Sequence, residues 1–204
     1  MSEPIAGVIL AGGLARRMGG GDKGLLQLGG KAILDHVIDR LKPQTEALII
    51  NANGEPSRFA AYGLPVVPDS IEGSAGPLAG VLAGLDWAAE RDFSHIVTAA
   101  TDTPFFPRDL VARFQVAVKQ QGTDLAVAAS QGRHHPVFGL WPCALRQDLR
   151  NAVGEEGIRK VDEWTLRHRL AVAHFEARDY DPFFNANRPD DLAEAEDILS
   201  RYSP

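Results

Sequence analysis

The chain has 204 residues, of which 45% are hydrophobic and 24% are charged, a composition that suits one globular domain with a full core. Its formal net charge of −6 argues against nonspecific binding to nucleic acid or to an anionic membrane. The N-terminus lacks a basic segment, and the apolar run after Pro4 is too short for a signal peptide or a membrane span, so we expect a cytoplasmic protein.

The first element is an apolar run from Ile5 to Ala11 that ends in glycines, which is typical of a strand buried on both faces. The loop after it contains five glycines between Gly12 and Gly21, together with Arg16, Arg17 and Lys23. Glycine lets backbone N–H groups approach an anion closely, and the basic side chains add positive charge. The loop lacks the sequence of a Walker A motif, but its composition predicts a cradle for a polyphosphate.

Apolar spacing predicts the elements that follow. In chain order these are a helix over 33–41, strands over 47–50 and 64–67, a helix from Pro77, a strand over 95–100, a helix over about 108–121, strands near 125–129 and 137–141, and a last helix from Pro189. Strands separated by helices predict an α/β domain whose largely parallel sheet carries helices on both faces. The last two strands lie close together in the chain, and an antiparallel pairing between them would make the sheet mixed.

Polar side chains come just after three predicted parallel strands: Asn51, Asp69 and Asp102. The carboxyl ends of parallel strands form the ligand-binding edge of an open α/β sheet, and the glycine loop lies at the same edge. Each residue alone could be a turn residue or a helix cap. Together they predict one site, in which Asp102 is a natural Mg²⁺ ligand beside the phosphate cradle.

The order L-A-G-G-x-x-x-R-M-G-G-x-D-K, which ends at Lys23, resembles the signature loop of the molybdenum cofactor guanylyltransferase family. Thr101–Pro104 resembles the T-D-T-P motif of that family, and Gly76–Gly80 resembles its G-P-L-[AG]-G segment. The resemblance extends from Ile5 to about Leu192 and implies a Rossmann-like nucleotidyltransferase fold over a single domain, 1–204.

The resemblance implies transfer of GMP from GTP to Mo-molybdopterin, with Mg²⁺ as the cofactor and pyrophosphate as the second product. It implies catalytic roles for Arg17, Lys23 and Asp102, with Asp102 as the metal ligand. The implied GTP-binding residues are Leu10, Ala11, Gly12, Gly13, Lys23, Asn51, Asp69 and Asp102. Asn51 or Asp69 could accept hydrogen bonds from the N–H donors of guanine. Residues of about 1–125 would bind the nucleotide, and about 126–204 would form the acceptor side.

The C-terminal third matches the family more loosely. Gly157–Val161 resembles G-x-R-[RK]-[VM], and Phe184–Leu192 resembles F-x-N-x-N-T-P-E-[ED]-L with Arg188 in place of threonine. These matches imply that Arg159, Lys160, Asn185 and Asn187 bind the pterin acceptor. His135-Pro136 resembles the H-P-[TV] segment, which would face the acceptor, whereas the residues alone predict a surface or loop role for His134 and His135.

No general base is evident, and the implied reaction needs none, because the second pKa of a phosphate monoester is about 6. The implied partners are GTP, Mo-molybdopterin, molybdenum-insertion proteins, and apoenzymes or chaperones that accept the cofactor. Two alternatives remain open: a cytidylyl- or sugar-phosphate nucleotidyltransferase of the same fold, and a noncatalytic pterin carrier. Gly12-Gly13 departs from the L-A-A-G usual in relatives that use CTP, and a carrier needs neither the basic loop nor Asp102.

Overall fold

The computed structural model of the chain describes residues 3–12, 22–71, 73 and 76–202. The first elements are strand β1 (Ile5–Leu10), a hairpin of β2 (Gln27–Leu28) and β3 (Lys31–Ala32), helix α1 (Ile33–Leu41), and strands β4 (Ala47–Asn51) and β5 (Val66–Val67). All six residues of β1 are buried, which confirms the predicted strand. β5 is shorter than predicted because Pro65 has no N–H to donate to a ladder.

The middle elements are α2 (Pro77–Ala89), β6 (His95–Ala100), α3 (Leu110–Gln121), β7 (Leu125–Ser130) and β8 (Arg133–Pro142). The predicted hairpin is confirmed, but β8 begins at Arg133 rather than near Val137. Its ladder with β7 extends to a two-residue turn at Gln131-Gly132, where φ is 48° and 74°, the left-handed values that suit a tight hairpin. His134 and His135 are therefore strand residues rather than loop residues, while the predicted surface position holds for His134, which is exposed.

The last elements are α4 (Arg146–Gly154), α5 (Val161–Thr165), β9 (Leu170–Phe175) and α6 (Pro189–Tyr202). Only α6 is predicted from the apolar spacing. The other three are short, and α5 has only five residues, too few for a helical period to become visible in sequence.

One seven-stranded sheet in the order β5-β4-β1-β6-β8-β7-β9 forms the centre of the domain. β1 pairs in parallel with β4 and β6, and β7 pairs in parallel with β9, while β8 runs antiparallel to both β6 and β7. Six strands therefore point the same way, and the predicted mostly parallel mixed sheet is confirmed. The carboxyl ends of β4, β1 and β6 meet at one edge, together with the beginning of β8.

Two apolar layers cover the sheet. α1 and α3 pack on one face through residues such as Leu34 and Phe114. On the other face α2, α4 and α5 enclose Trp141 and Trp164, which are both fully buried. A third cluster joins α6 to the β2–β3 hairpin. No helix in the described ranges has the length and apolar character that crossing a membrane requires.

The outer edge of β9 is covered by side chains of α3 rather than by another strand. The Gln121 side chain donates to the Val172 carbonyl and accepts from the Val172 N–H, each over 3.3 Å. Arg113 donates to the next outward carbonyl, that of His174. These side chains satisfy backbone groups that an edge strand otherwise exposes.

The approach of α2 to the sheet depends on glycine. A Cβ at Gly84 would lie 2.7 Å from Cγ2 of Val8 and 3.0 Å from Cδ1 of Ile96. Real contacts of this kind are longer, so only a residue without a side chain lets the helix approach β1 and β6 this closely.

We predict that Gly84→Ala destabilises the protein by about 1–3 kcal/mol, because β-branched Val8 is fixed in its strand and cannot turn away. Urea unfolding followed by circular dichroism measures the change. Gly154→Ala is the matched control, since its Cβ would lie 3.5 Å from Cδ1 of Ile71, an ordinary contact. Equal effects of the two substitutions would contradict the packing argument.

Candidate active site

A cleft of about 640 Å³ opens at the edge of the sheet where the strands β1, β4 and β6 end. Its wall contains residues from these strand ends, from the start of α2, from the start of β8 and from the segment before α6. The lining residues are Leu10, Gly12, Asn51, Asn53, Asp69, Gly76, Pro77, Ala100, Asp102, Arg133, His134, His135, Pro136, Val137, Phe138 and Asn185. The fold therefore brings six of the predicted site residues into one cavity: Leu10, Gly12, Asn51, Asp69, Asp102 and Asn185.

At one end of the cleft, Asp69 is held by two asparagines. Asn51 Nδ2 donates to Asp69 Oδ1 at 3.0 Å, and also to the Val67 carbonyl at 3.1 Å. Asn53 Nδ2 donates to Asp69 Oδ2 at 2.7 Å, while Asn53 Oδ1 accepts from the Asp69 N–H at 2.9 Å. The carboxylate is half-buried and fixed in direction, and it retains lone pairs for a further donor.

Asn51 lies deeper than the sequence indicates. It is the last residue of β4 rather than the residue after the strand, and only 4% of its surface is exposed. Its Oδ1 lies only 2.2 Å from where a Cβ of Gly80 would be, so α2 must carry glycine at that position. Because both amide hydrogens are already donated, Asn51 acts on the cleft mainly by orienting Asp69.

Asp102, which lines the cleft, forms an ion pair with Lys23. Lys23 Nζ lies 3.4 Å from Asp102 Oδ2, and the two side chains are 20% and 21% exposed. Lys23 also donates to Oδ1 of Asn187. The Thr103 hydroxyl donates to Asp102 Oδ1 at 3.4 Å, but in the described part of the chain no backbone N–H donates to this carboxylate, so it does not cap the backbone.

Residues 185–187 are attached to the end of β6 by hydrogen bonds. The Ala186 N–H donates to the Asp102 carbonyl at 2.8 Å, and Thr103 Oγ1 donates to Asn185 Oδ1. Asp191 in turn accepts from the Asn187 N–H at 2.8 Å. The Asp102 carboxylate thus shares Lys23 with Asn187 as a hydrogen-bond donor, and it shares Thr103 with Asn185.

A second ion pair fixes the beginning of the segment that carries Lys23. Arg58 Nε lies 3.3 Å from Asp22 Oδ2. Arg58 also donates to the Asn53 carbonyl, which connects Asp22 to the residues around Asp69. Arg58 belongs to no recognisable motif and its partners are distant in the chain, so its position beside Asp22 is not predictable from sequence.

The far wall of the cleft is made by a bulge in β8. Val127 pairs with Gly139 and Ala128 pairs with His135, which leaves Pro136, Val137 and Phe138 without partners on β7. A bulge of this kind redirects side chains, here towards the cleft. The one sequence signal for it is Pro136, since proline interrupts a strand ladder.

Thr98 of β6 anchors the bulge. Its Oγ1 donates to the Val137 carbonyl at 2.6 Å and accepts from Trp141 Nε1 at 2.8 Å and from the Gly139 N–H at 3.3 Å. Thr98 is fully buried, so its hydroxyl group has these protein partners in place of the hydrogen bonds that it would make to water.

Three further predicted site residues, Ala11, Arg159 and Lys160, lie away from these polar groups. Ala11 is buried behind Leu10 and Gly12, and its N–H donates to the Asn51 carbonyl at 2.8 Å. Arg159 and Lys160 are exposed and do not line the cleft. The Arg159 guanidinium donates to the carbonyls of Val153 and Ile158, at 2.7 and 3.0 Å. Gly13 and Arg17 lie outside the described residues.

The Arg159 backbone lies near the cleft although its side chain does not line it. The Arg159 carbonyl oxygen is 3.1 Å from where a Cβ of Gly76 would be, and Gly76 is a lining residue. Arg159 is thus near the rim through its backbone, and contact of Arg159 and Lys160 with an acceptor stays a prediction.

The cleft has few metal-binding side chains of the kind that build a protein cage. Within the described ranges, no group of three or more His, Cys, Asp or Glu side chains could hold a metal ion. A single carboxylate with amide oxygens is compatible with Mg²⁺, which commonly takes one or two carboxylates and completes its shell with water and substrate phosphates.

Comparison with known proteins identifies the family. Residues 7–171 match the MobA-like NTP transferase domain. A molybdenum cofactor guanylyltransferase of Bradyrhizobium sp. (strain ORS 278) is 57% identical over 96% of this chain and 93% of its own length. The structure of molybdopterin-guanine dinucleotide biosynthesis protein A from Archaeoglobus fulgidus is 26% identical, covers 96% of this chain and 99% of its own, and has a TM-score of 0.75.

A Mycobacterium tuberculosis protein solved as a complex with manganese shares the fold, with a TM-score of 0.69 at 20% identity over 96% of this chain and 99% of its own. The expected fold and family are therefore confirmed: the chain is a nucleotidyltransferase and belongs to the MobA-like NTP transferase family.

Proposed function

We propose that this chain transfers GMP from GTP to the terminal phosphate of Mo-molybdopterin and releases pyrophosphate. The observation that carries the proposal is the position of Asp102, which lines the cleft between its Asp69 end and the β8 wall and is paired with Lys23. Two large substrates can lie at opposite ends of such a cleft and meet at its charged middle. The guanylyltransferase name of the 57% identical relative supports the same reaction.

The reaction needs alignment more than acid–base chemistry. An oxygen of the acceptor phosphate attacks the α-phosphorus of GTP, a new P–O bond forms, and the bond to the β-phosphate breaks with its electron pair leaving on pyrophosphate. The attacking phosphate is mainly dianionic at neutral pH, since its second pKa is about 6. Lys23 offsets the negative charge of the two approaching anions, the largest obstacle to their meeting.

The guanine base would be read at the Asp69 end. Its N1–H and N2–H₂ groups are donors, and Asp69 presents a carboxylate fixed by Asn51 and Asn53. Cytosine has no ring N–H at the corresponding position, so the same acceptor discriminates against CTP. Residues of about 1–125 form the nucleotide side in this scheme, and about 126–204 form the acceptor side.

Divalent metal is expected at Asp102, and Mg²⁺ is the proposed ion. Asp102, Asn185 and Asn187 would hold it, since carboxylate and amide oxygens suit a hard cation. When bound, the ion supplies positive charge next to the phosphates of GTP. The manganese complex of the Mycobacterium tuberculosis protein supports a divalent site in this fold.

The wider setting follows from the substrates. GTP and Mo-molybdopterin are the proposed partners, and the need for GTP favours the cytoplasm as the location. Molybdenum-insertion proteins would supply the acceptor, and apoenzymes or their chaperones would receive the product.

The reaction is tested by incubating the protein with Mg²⁺, Mo-molybdopterin and one nucleoside triphosphate at a time. We expect pyrophosphate release with GTP and little with CTP or ATP, because only guanine matches the acceptors at Asp69. Equal or faster turnover with CTP would favour the cytidylyl alternative. Binding of the pterin without release of pyrophosphate from any nucleotide would favour the carrier.

Lys23→Ala should lower kcat/KM by about 10²–10³-fold, the usual loss when one charge contact to a reacting phosphate is removed. Steady-state pyrophosphate release measures it, and thermal melting checks that the fold survives. Lys31→Ala is the control, because Lys31 is an exposed lysine paired with Asp39 on the β2–β3 hairpin. Near-normal turnover of Lys23→Ala would assign the basic loop a connecting role only.

Asp102→Asn should fold normally but turn over at least about 10²-fold more slowly, because an amide keeps the size of the side chain and loses the charge. Mn²⁺ should restore part of the activity, since it tolerates neutral ligands better than Mg²⁺ does. Titration with Mn²⁺ followed by electron paramagnetic resonance should show weakened binding. Asp39→Asn on α1 is the control, because Asp39 is exposed and paired with Lys31, and its activity should equal that of wild type. Wild-type activity of Asp102→Asn at limiting Mg²⁺ would refute the assignment of Asp102 as the metal ligand.

A further inference from the structure

Ser130, His135 and Asp181 form a hydrogen-bonded chain behind the β8 wall of the cleft. Ser130 Oγ lies 2.7 Å from His135 Nε2 and donates to Asp181 Oδ1 at 2.8 Å. Ser130 is 2% exposed, whereas His135 is half-buried and lines the cleft. The order, with serine in the middle, differs from that of a nucleophilic triad, in which histidine lies between the other two groups.

This arrangement fixes the tautomer of His135. A serine hydroxyl has one hydrogen, and an ionised carboxylate can only accept, so the hydrogen of Ser130 goes to Asp181. Ser130 Oγ must then accept from His135, which places the ring proton on Nε2. In the neutral ring, Nδ1 is left with its lone pair and is an acceptor.

Other contacts hold the ring neutral and in place. Phe183 stacks on the imidazole, with ring centroids 4.5 Å apart and planes inclined by 18°. The Phe183 N–H donates to the same Asp181 oxygen at 3.0 Å. Burial lowers the pKa of His135, with smaller contributions in the same direction from Arg133 and His134 and an opposing one from Asp181.

We propose that His135 determines acceptor specificity, by accepting through Nδ1 a hydrogen bond from an N–H group of the acceptor's nitrogen heterocycle. Ser130 and Asp181 are positioning residues that hold the tautomer. The inference rests on the proposed function, in which that heterocycle is the pterin. In the sheet order, β6 with Asp102 lies between β4 with the Asn51–Asp69 pair and β8, so His135 is on the side opposite the nucleotide base.

The test separates acceptor binding from nucleotide binding. In His135→Gln an amide can still donate to Ser130, but no atom replaces Nδ1. We expect the KM for Mo-molybdopterin to rise about tenfold, the effect of one lost hydrogen bond, with the KM for GTP and kcat nearly unchanged. Ser130→Ala should raise the same KM about threefold, because the ring loses its anchor but keeps Nδ1.

His174→Gln is the matched control, since His174 is exposed on β9 and does not line the cleft. Nitrogen-15 NMR of histidine-labelled protein reads the tautomer directly, and we expect the proton of His135 on Nε2. A proton on Nδ1, or a His135→Gln variant whose KM for Mo-molybdopterin stays within twofold of wild type, would overturn the inference.

Equilibrium dialysis with Mo-molybdopterin alone distinguishes this inference from the proposed function. Suppose that the wild-type protein binds Mo-molybdopterin but transfers no GMP, and that His135→Gln binds Mo-molybdopterin about tenfold more weakly. This result would support the inference and refute the proposed function. If the wild-type protein transfers GMP and His135→Gln binds Mo-molybdopterin as tightly as wild type, the proposed function is supported and the inference about His135 is refuted.

Discussion

Hydrogen bonds at the end of β6 hold together two segments that lie far apart in the chain, one near the N-terminus and one near the C-terminus. Lys23, from the segment after the glycine loop, and Asn187, from the segment before α6, meet beside Asp102 although 164 residues separate them. The backbone takes part as well, through the bond from the Ala186 N–H to the Asp102 carbonyl. β6 is the middle strand of seven and is paired on both sides, with β1 and with β8, so these contacts are attached to the centre of the sheet.

The same core that stabilises the domain also sets the geometry of the cleft. α2 can approach the sheet only because Gly80 and Gly84 lack side chains, and that approach brings Gly76 and Pro77 to the cleft wall. On the other wall of the cleft, the Thr98 hydroxyl donates one hydrogen bond to β8 and accepts two from it, and these bonds hold the bulge in place. Buried contacts of β1 and β6 therefore determine where both walls of the site lie.

Sequence patterns predicted the elements whose periodicity is strong. β1, α1 and β6 are long apolar or amphipathic runs with clear ends, and the fold class followed from their alternation. The predicted cluster of Asp69 and Asp102 in one cleft follows from a general property of parallel sheets. The family resemblance in the glycine loop predicted the nucleotidyltransferase assignment, although Gly13 and Arg17 in that loop lie outside the described residues.

What sequence could not reveal depends on contacts between distant residues. The bulge of β8 exists because Thr98 satisfies backbone groups that β7 leaves free, and no local pattern encodes that bond. Likewise, the burial of Asn51 results from the packing of Gly80 over it. Arg159 matches a family motif, yet its guanidinium is already bonded to nearby carbonyls, an outcome that the motif alone does not reveal.

The covering of β9 by Gln121 has a consequence for how a partner protein can dock. Strand addition to a sheet requires free N–H and C=O groups along an edge, and at Val172 both are already bonded to the Gln121 amide. The other edge strand, β5, has only two residues and offers a very short template. In the described part of the chain, the two edges of the sheet therefore offer another protein, or a second copy of this transferase, little free backbone on which to add a strand.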